Sequence, residues 1–303
     1  MPFRIFLYKK NHPPEIEGIL WMLSGCFWLS SMTVIIRHLS SSFSAFEIVF
    51  FRNLICTLIL LPWAFRNNVK IIKIKRLKLY GYRSLTGLLS MYMFFYTLSI
   101  LPLTEVVSIT FTVPLITTLL AIIIFKEQVG LHRWIALLIG FSGVIIIMRP
   151  GTHMFNFASI IMLATAATWS VSNIMVKTLT KSEAPKKIVF YMVLITTPIS
   201  FPFALLHWKT PNLTEFSWLI LLAIIANLSQ SATTHAFSKT DMNVVLPFDF
   251  SRLIFVTAMA YVFFGEVVDI FTVAGALVIF ISSLYVARRE VRSRMTYFKG
   301  ANI

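Results

Sequence analysis

Charged side chains buried in otherwise apolar stretches are the groups of this chain best placed to do chemistry. Asp249 and Arg252 stand three residues apart in the run Pro247-Phe248-Asp249-Phe250-Ser251-Arg252-Leu253, a spacing that brings both to one helix face. They are either a structural ion pair or a site for a charged ligand, since an ionisable group inside a membrane needs a partner or a wet cavity. Pro247 removes a backbone donor and would free the Asn243 carbonyl of a continuous helix. Arg52, inside another apolar run, either receives a ligand carboxylate or pairs with nearby Glu47, and Arg83 is read as snorkelling to the headgroups. Asn227, Ser229, Gln230, Ser231, Thr233, Thr234 and His235 fall within nine residues, too polar for a helix that faces lipid all round. They line an interior or join helices by hydrogen bonds. An unperturbed imidazole titrates near neutral pH, so His235, with Glu47, is a candidate for proton coupling, against an ordinary packing role. Trp28, Trp169, Tyr92, Tyr96 and Tyr191 offer π faces to a planar or cationic ligand, or simply pack.

Other chemistries lack their parts. The sequence has no phosphate-binding glycine loop, zinc-ligand cluster or nucleophile elbow, so no metal, cofactor, catalytic residue or ATP engine is expected. The six histidines are scattered without a carboxylate partner motif, which leaves a membrane-embedded lipid-modifying enzyme without an acid/base constellation. A non-transporting assembly or signalling component is the remaining class.

The elements that must position these residues are membrane spans. The 303 residues are 57% hydrophobic and 13% charged, with a mean hydropathy of +0.81, an apolar excess that a soluble core does not need. Runs of about 17 to 25 apolar residues cross the hydrocarbon layer. Ten are read, near 18–37, 45–65, 80–100, 104–125, 131–148, 157–176, 187–207, 216–238, 242–264 and 269–287, with nine as the alternative because only a tight turn joins the third and fourth. The first lacks a small-residue cleavage site and is taken as a retained span. With the N-terminus inside, 21 of the 27 Lys and Arg fall in cytoplasmic segments, three outside (Arg37, Arg149, Lys209) and three within spans. That asymmetry puts both termini in the cytoplasm and accounts for the net charge of +15 as topology, not nucleic-acid binding. Cys26 and Cys56 lie in apolar runs and read as small hydrophobes.

Shifting the chain by 139 residues sets Phe125-Lys126-Glu127 on Phe264-Gly265-Glu266 and Arg149 on Arg288. Phe27-Trp28 with Ser31 resembles Thr168-Trp169 with Ser172 after a two-residue change in offset. The division is a cytoplasmic tail at 1–17, five-helix repeats at 18–148 and 157–287, and a basic cytoplasmic tail at 288–303. Five is odd, so the second repeat inserts upside down, and an inverted repeat has a pseudo-two-fold axis suited to opening alternately to either side. The expected fold is an all-α membrane protein of about ten transmembrane helices in two inverted five-helix repeats. Glu127 and Glu266 end equivalent spans and are read as a gate or a structural turn.

The two sets of five spans, the Phe-x-Glu ending spans four and nine, and the span-nine run from Pro247 to Leu253 resemble the EamA branch of the drug/metabolite transporter superfamily. Within it, the Pro-Phe-x-x-x-Arg-Leu form is similar to S-adenosylmethionine uptake carriers and to riboflavin carriers. The first half departs from it, with Phe111-Thr112-Val113-Pro114 and no Arg, so the halves would contribute unequally to a site. The resemblance implies a secondary transporter of a small polar metabolite working by alternating access, with no enzymatic activity. S-adenosylmethionine is the favoured substrate; riboflavin, amino acids or drugs are alternatives. Asp249 and aromatic faces would suit the sulfonium and Arg252 or Arg52 the carboxylate, with Trp28, Trp169, Tyr96, Asn227 and Gln230 completing the site. The expected partners are that small molecule and the lipid bilayer of a bacterial inner membrane, with a homodimer allowed.

Overall fold

The computed structural model describes residues 14–67, 69, 76–125, 131–149, 156–240, 242–282 and 284–285. The described residues are helical apart from turns and connections: α1 Pro14–Leu39, α2 Ala45–Arg66, α3 Leu77–Ile100, α4 Leu103–Thr110, α5 Thr112–Phe125, α6 Leu131–Met148, α7 Phe157–Thr180, α8 Pro185–Leu205, α9 Leu213–Lys239, α10 Met242–Val245, a 3-10 turn Leu246–Phe250, α11 Ser251–Phe264 and α12 Ile270–Ser282. The helices start where side chains replace the missing intrahelical acceptors. Ser44 with Glu47 and Asn212 with Glu215 form capping boxes before α2 and α9, and Asn156 caps α7. Gly265 ends α11 with φ 66°, a left-handed conformation that glycine adopts without a Cβ clash.

The chain is an all-α membrane protein of about ten transmembrane helices in two repeats. α1, α2, α7, α8 and α9 are each long and apolar enough to cross a bilayer by length and composition. Spans four and nine are broken helices. Span four divides at Phe111 into α4 and α5, and span nine tightens into the 3-10 turn containing Pro247 before α11 resumes. Exposed apolar residues such as Leu138, Ile254, Val262 and Ile270 form the belt that lipid covers.

Symmetry organises the packing. α1 packs chiefly on α9 and α11, while α7 packs chiefly on α3 and on α4 with α5. Exchanging the repeats converts one set into the other, and maps the α2–α8 contact onto itself. The exchange is visible in single hydrogen bonds. Arg37, ending α1, donates from Nη1 to the carbonyls of Leu98 and Leu101 at 2.6 and 3.1 Å. Lys177, near the end of α7, donates from Nζ to the carbonyls of Phe237 and Thr240 at 2.9 and 2.6 Å. Each cation covers the carbonyls at the C-terminal end of its repeat's third span, where the helix dipole is negative.

The two caps lie at opposite ends of the bundle, because α1 and α9 run antiparallel. His38 meets Trp218 at one end of that pair, with ring centroids 5.0 Å apart. A Cβ on Gly18 would meet Thr240 at the other. The fifth spans cross on glycines: a Cβ on Gly143 would meet the Gly275 carbonyl at 2.7 Å, and one on Gly275 the Gly143 carbonyl at 2.5 Å. Only the absence of side chains allows α6 and α12 to approach this closely.

Candidate functional site

α1, α2, α3, α7 and α9 surround a cavity of about 80 Å³ in the middle of the bundle. Both repeats contribute, and four of the five helices are symmetry equivalents, α1 with α7 and α3 with α9. Its wall combines Phe94, Phe95 and Trp169 with Ser90, Ser172, Asn173, Ser229, Gln230 and Thr233. Phe94 meets Trp169 edge-on at 5.4 Å. The polar stretch of α9 therefore faces inward at Ser229, Gln230 and Thr233.

Two arginines line the same cavity, both 4% exposed. Arg52 on α2 donates from Nη1 to Asn53 Oδ1 at 2.7 Å and towards Met91 Sδ at 3.7 Å. Arg83 on α3 points Nη2 at Met192 Sδ, 3.3 Å away. The Nε of each has no acceptor, and neither do Asn53 Nδ2 and Ser172 Oγ. Among the described residues, no aspartate or glutamate lines the cavity, and none forms an ion pair with either arginine. Gly87 lies one turn along α3 from Arg83, and a Cβ there would fall 2.3 Å from Arg83 Nη1 and 3.6 Å from Ser172 Oγ. Glycine makes the room in which this guanidinium sits.

Arg83 corrects the sequence reading. It does not snorkel to headgroups; packing of α3 on α7 and α8 holds it inside the protein. Of the two readings of Arg52, the pairing with Glu47 is not made. The Glu47 carboxylate accepts from Ser44 N and Oγ at 2.9 Å and from Lys209 N at 2.6 Å, so it caps α2 and ties the repeats together at a bundle end.

Asp249 and Arg252 do pair, with Arg252 Nη2 2.8 Å from Asp249 Oδ2 and 2.5 Å from Thr110 Oγ1. Arg252 is 2% exposed, and its Nε has no acceptor. Its Cζ lies 5.6 Å from the Phe111 ring and 5.7 Å from the Trp169 ring. The pair is thus behind Trp169 and does not line the cavity. Asp249 Oδ1 also accepts from the Cys26 thiol at 3.5 Å, and Phe111 stacks on Phe250 at 4.4 Å. The two helix breaks therefore meet, hydroxyl against ion pair and ring against ring.

The remaining candidates are dispersed. Trp28 packs against the main core, meets Phe27 at 5.1 Å and is not among the residues that line the cavity. Tyr96 is 46% exposed on the outer face of α3. Asn227 Oδ1 accepts from Ser231 Oγ at 3.3 Å, and His235 stacks on Trp21 at 4.9 Å. Glu266 accepts from Leu103 N at 2.9 Å, covering the start of α4. Glu127 lies outside the described residues.

A membrane protein of two inverted five-helix repeats around a central cavity lined by polar and aromatic side chains has the architecture of a secondary carrier. The chain belongs to the EamA-like transporter family, which it matches twice, over residues 16–149 and 156–288, within the drug/metabolite transporter superfamily. It is 28% identical over 278 residues to the S-adenosylmethionine uptake transporter of Rickettsia prowazekii (strain Madrid E), covering 92% of this chain and 95% of the relative. It is 27% identical over 291 residues to the riboflavin transporter of Vibrio cholerae serotype O1, covering 93% and 96%. A solved crystal structure shares the fold with a TM-score of 0.65 at 14% identity, covering 90% of this chain and 98% of its own.

Proposed function

We propose that the protein takes up S-adenosylmethionine across a bacterial inner membrane, with both termini cytoplasmic, by alternating access around the central cavity. The carrying observation is that equivalent helices of both repeats, α1 with α7 and α3 with α9, line the same cavity. A ligand held there touches both repeats, so rocking one against the other changes its exposure without moving it far. The Rickettsia relative supports the choice of substrate. Trp169, Phe94 and Phe95 offer faces for adenine and sulfonium, Gln230 and Asn173 offer amides, and Arg52 faces the carboxylate.

The cavity of about 80 Å³ is smaller than the roughly 300–1,000 Å³ of sites that enclose drug-sized ligands. The helices must part before a nucleoside enters. Contacts between the repeats at the bundle end assigned outside would have to release: Glu47 to Lys209 N, Glu266 to Leu103 N, and the ion pair of Arg149 with Asp269. Lys239 with Glu17, at 2.9 Å, joins the repeats at the opposite end.

The test is uptake of labelled S-adenosylmethionine into vesicles containing the purified protein, with unlabelled riboflavin as competitor. Protein-dependent uptake that riboflavin leaves unchanged is expected. No protein-dependent signal removes this substrate, and competition by riboflavin moves the assignment towards the Vibrio relative. Product formation from a lipid by the purified protein, without a second compartment, would replace the carrier reading with an enzyme.

A further inference from the structure

We infer that Arg52 and Arg83 form one anion subsite, which takes the carboxylate or phosphate end of the carried metabolite. The inference rests on the carrier reading for what brings the anion, but not for the site. Both guanidinium groups are almost fully buried, line one cavity and lack a carboxylate partner among the described residues. A buried charge left in this state is costly, and two in one cavity repel each other. Their other contacts bring no counter-charge: Arg52 has the Asn53 amide oxygen at 2.7 Å, and Met91 and Met192 present thioether sulfurs, which accept weakly.

The unsatisfied groups share a polarity. Of the lining residues, Arg52 Nε and Arg83 Nε are donors, and Ser172 Oγ can donate. What the site lacks is an acceptor. A carboxylate or phosphate supplies several acceptor oxygens, and the planar guanidinium fork matches either in two-point contact. The volume of about 80 Å³ suits such a group with water better than a whole nucleoside. Gly87 adds to the case, because any side chain there would push Arg83 out of its place.

For the proposed substrate, recognition then falls chiefly on the carboxylate, since the lining offers the sulfonium aromatic faces but no acid. S-adenosylhomocysteine keeps the carboxylate and lacks the sulfonium, and should compete at least as well as S-adenosylmethionine. Decarboxylated S-adenosylmethionine should compete poorly.

The direct probe is inorganic phosphate on the full-length protein in detergent, titrated against chloride at constant ionic strength while the melting temperature is followed. A saturable rise is expected in the unaltered protein by mass action, lost in Arg52→Gln/Arg83→Gln. No saturable rise, or the same rise in the double variant, overturns the inference, since phosphate also stabilises proteins generally by exclusion. Should the double variant fail to accumulate, Gly87→Ala displaces Arg83 while keeping both charges. A weaker phosphate response there supports the site, and an unchanged one overturns it. Vesicle uptake separates this from the substrate reading. A phosphate response without uptake of S-adenosylmethionine removes that substrate and keeps the anion subsite; uptake that neither arginine substitution nor decarboxylation of the competitor affects does the reverse.

Discussion

Two groups of buried arginines sit either side of Trp169 and are built on opposite principles. Behind it, Arg252 has Asp249 one helical turn away and the Thr110 hydroxyl from the facing helix break. In front of it, Arg52 and Arg83 come from different helices and have an amide and two sulfurs between them. The first arrangement has its counter-charge without a ligand, although Arg252 Nε lacks an acceptor. The second has donors to spare. Charge inside a membrane thus carries two meanings, and whether its partner is already present separates them. Arg252 joins the breaks of spans four and nine, whereas Arg52 and Arg83 await an anion.

The largest expected effect comes from breaking the completed pair. Asp249→Leu leaves Arg252 buried without its anion and should cost about 3–5 kcal/mol, read as a fall in membrane abundance and melting temperature. Arg252→Leu should be similarly harmful. Asp249→Leu/Arg252→Leu removes both charges and should recover much of the loss, since replacing a whole buried pair by apolar groups is often neutral. A double variant as unstable as the worse single one would show that the pair does more than neutralise itself.

The same operation at the other site should have the opposite signature. Arg83→Gln or Arg52→Gln removes an uncompensated charge, so abundance should hold while uptake falls by about tenfold or more, on the order of one lost charge-assisted contact at 1.5–3 kcal/mol. Loss of abundance with normal uptake per folded molecule would contradict the distinction between the sites.

Smaller effects test the frame that holds both sites. Gly275→Ala places a methyl against the Gly143 carbonyl and should destabilise by about 1–3 kcal/mol, the usual range for overpacking. Arg37→Gln and Lys177→Gln each uncover helix-end carbonyls at opposite ends of the bundle. Each should cost on the order of 0.3–2 kcal/mol, by similar amounts if the repeats are energetically equivalent. Melting temperatures of the purified variants measure all three.

Much of this was legible in the sequence because the bilayer demands long apolar runs, and ten of them with their flanking cations define the spans. The Asp249 and Arg252 pair was legible because its two members are three residues apart on one helix. Arg83 was not. Linear position put it near a span end, where a long side chain reaches headgroups, and only the packing of α3 on α7 and α8 turns it inward. Tyr96 failed in the other direction, because an aromatic on a span faces lipid or protein according to a helix rotation that neighbours set. The matched caps of Arg37 and Lys177 were invisible because their acceptors are backbone carbonyls 61 to 64 and 60 to 63 residues away. Every residue has a carbonyl, so no motif marks these. A signal did exist: both cations stand near the end of the first span of their repeat, and the repeat shift carries Leu98 and Leu101 onto Phe237 and Thr240.

The most direct measurement is uptake of labelled S-adenosylmethionine into vesicles holding equal amounts of folded protein, comparing Arg52→Gln/Arg83→Gln with Asp249→Leu/Arg252→Leu. The account predicts that the first loses protein-dependent uptake and the second retains it. Retained uptake in the first with loss in the second would place substrate recognition at the Asp249 and Arg252 pair, contradicting the assignment of the central cavity as the site where charge is read.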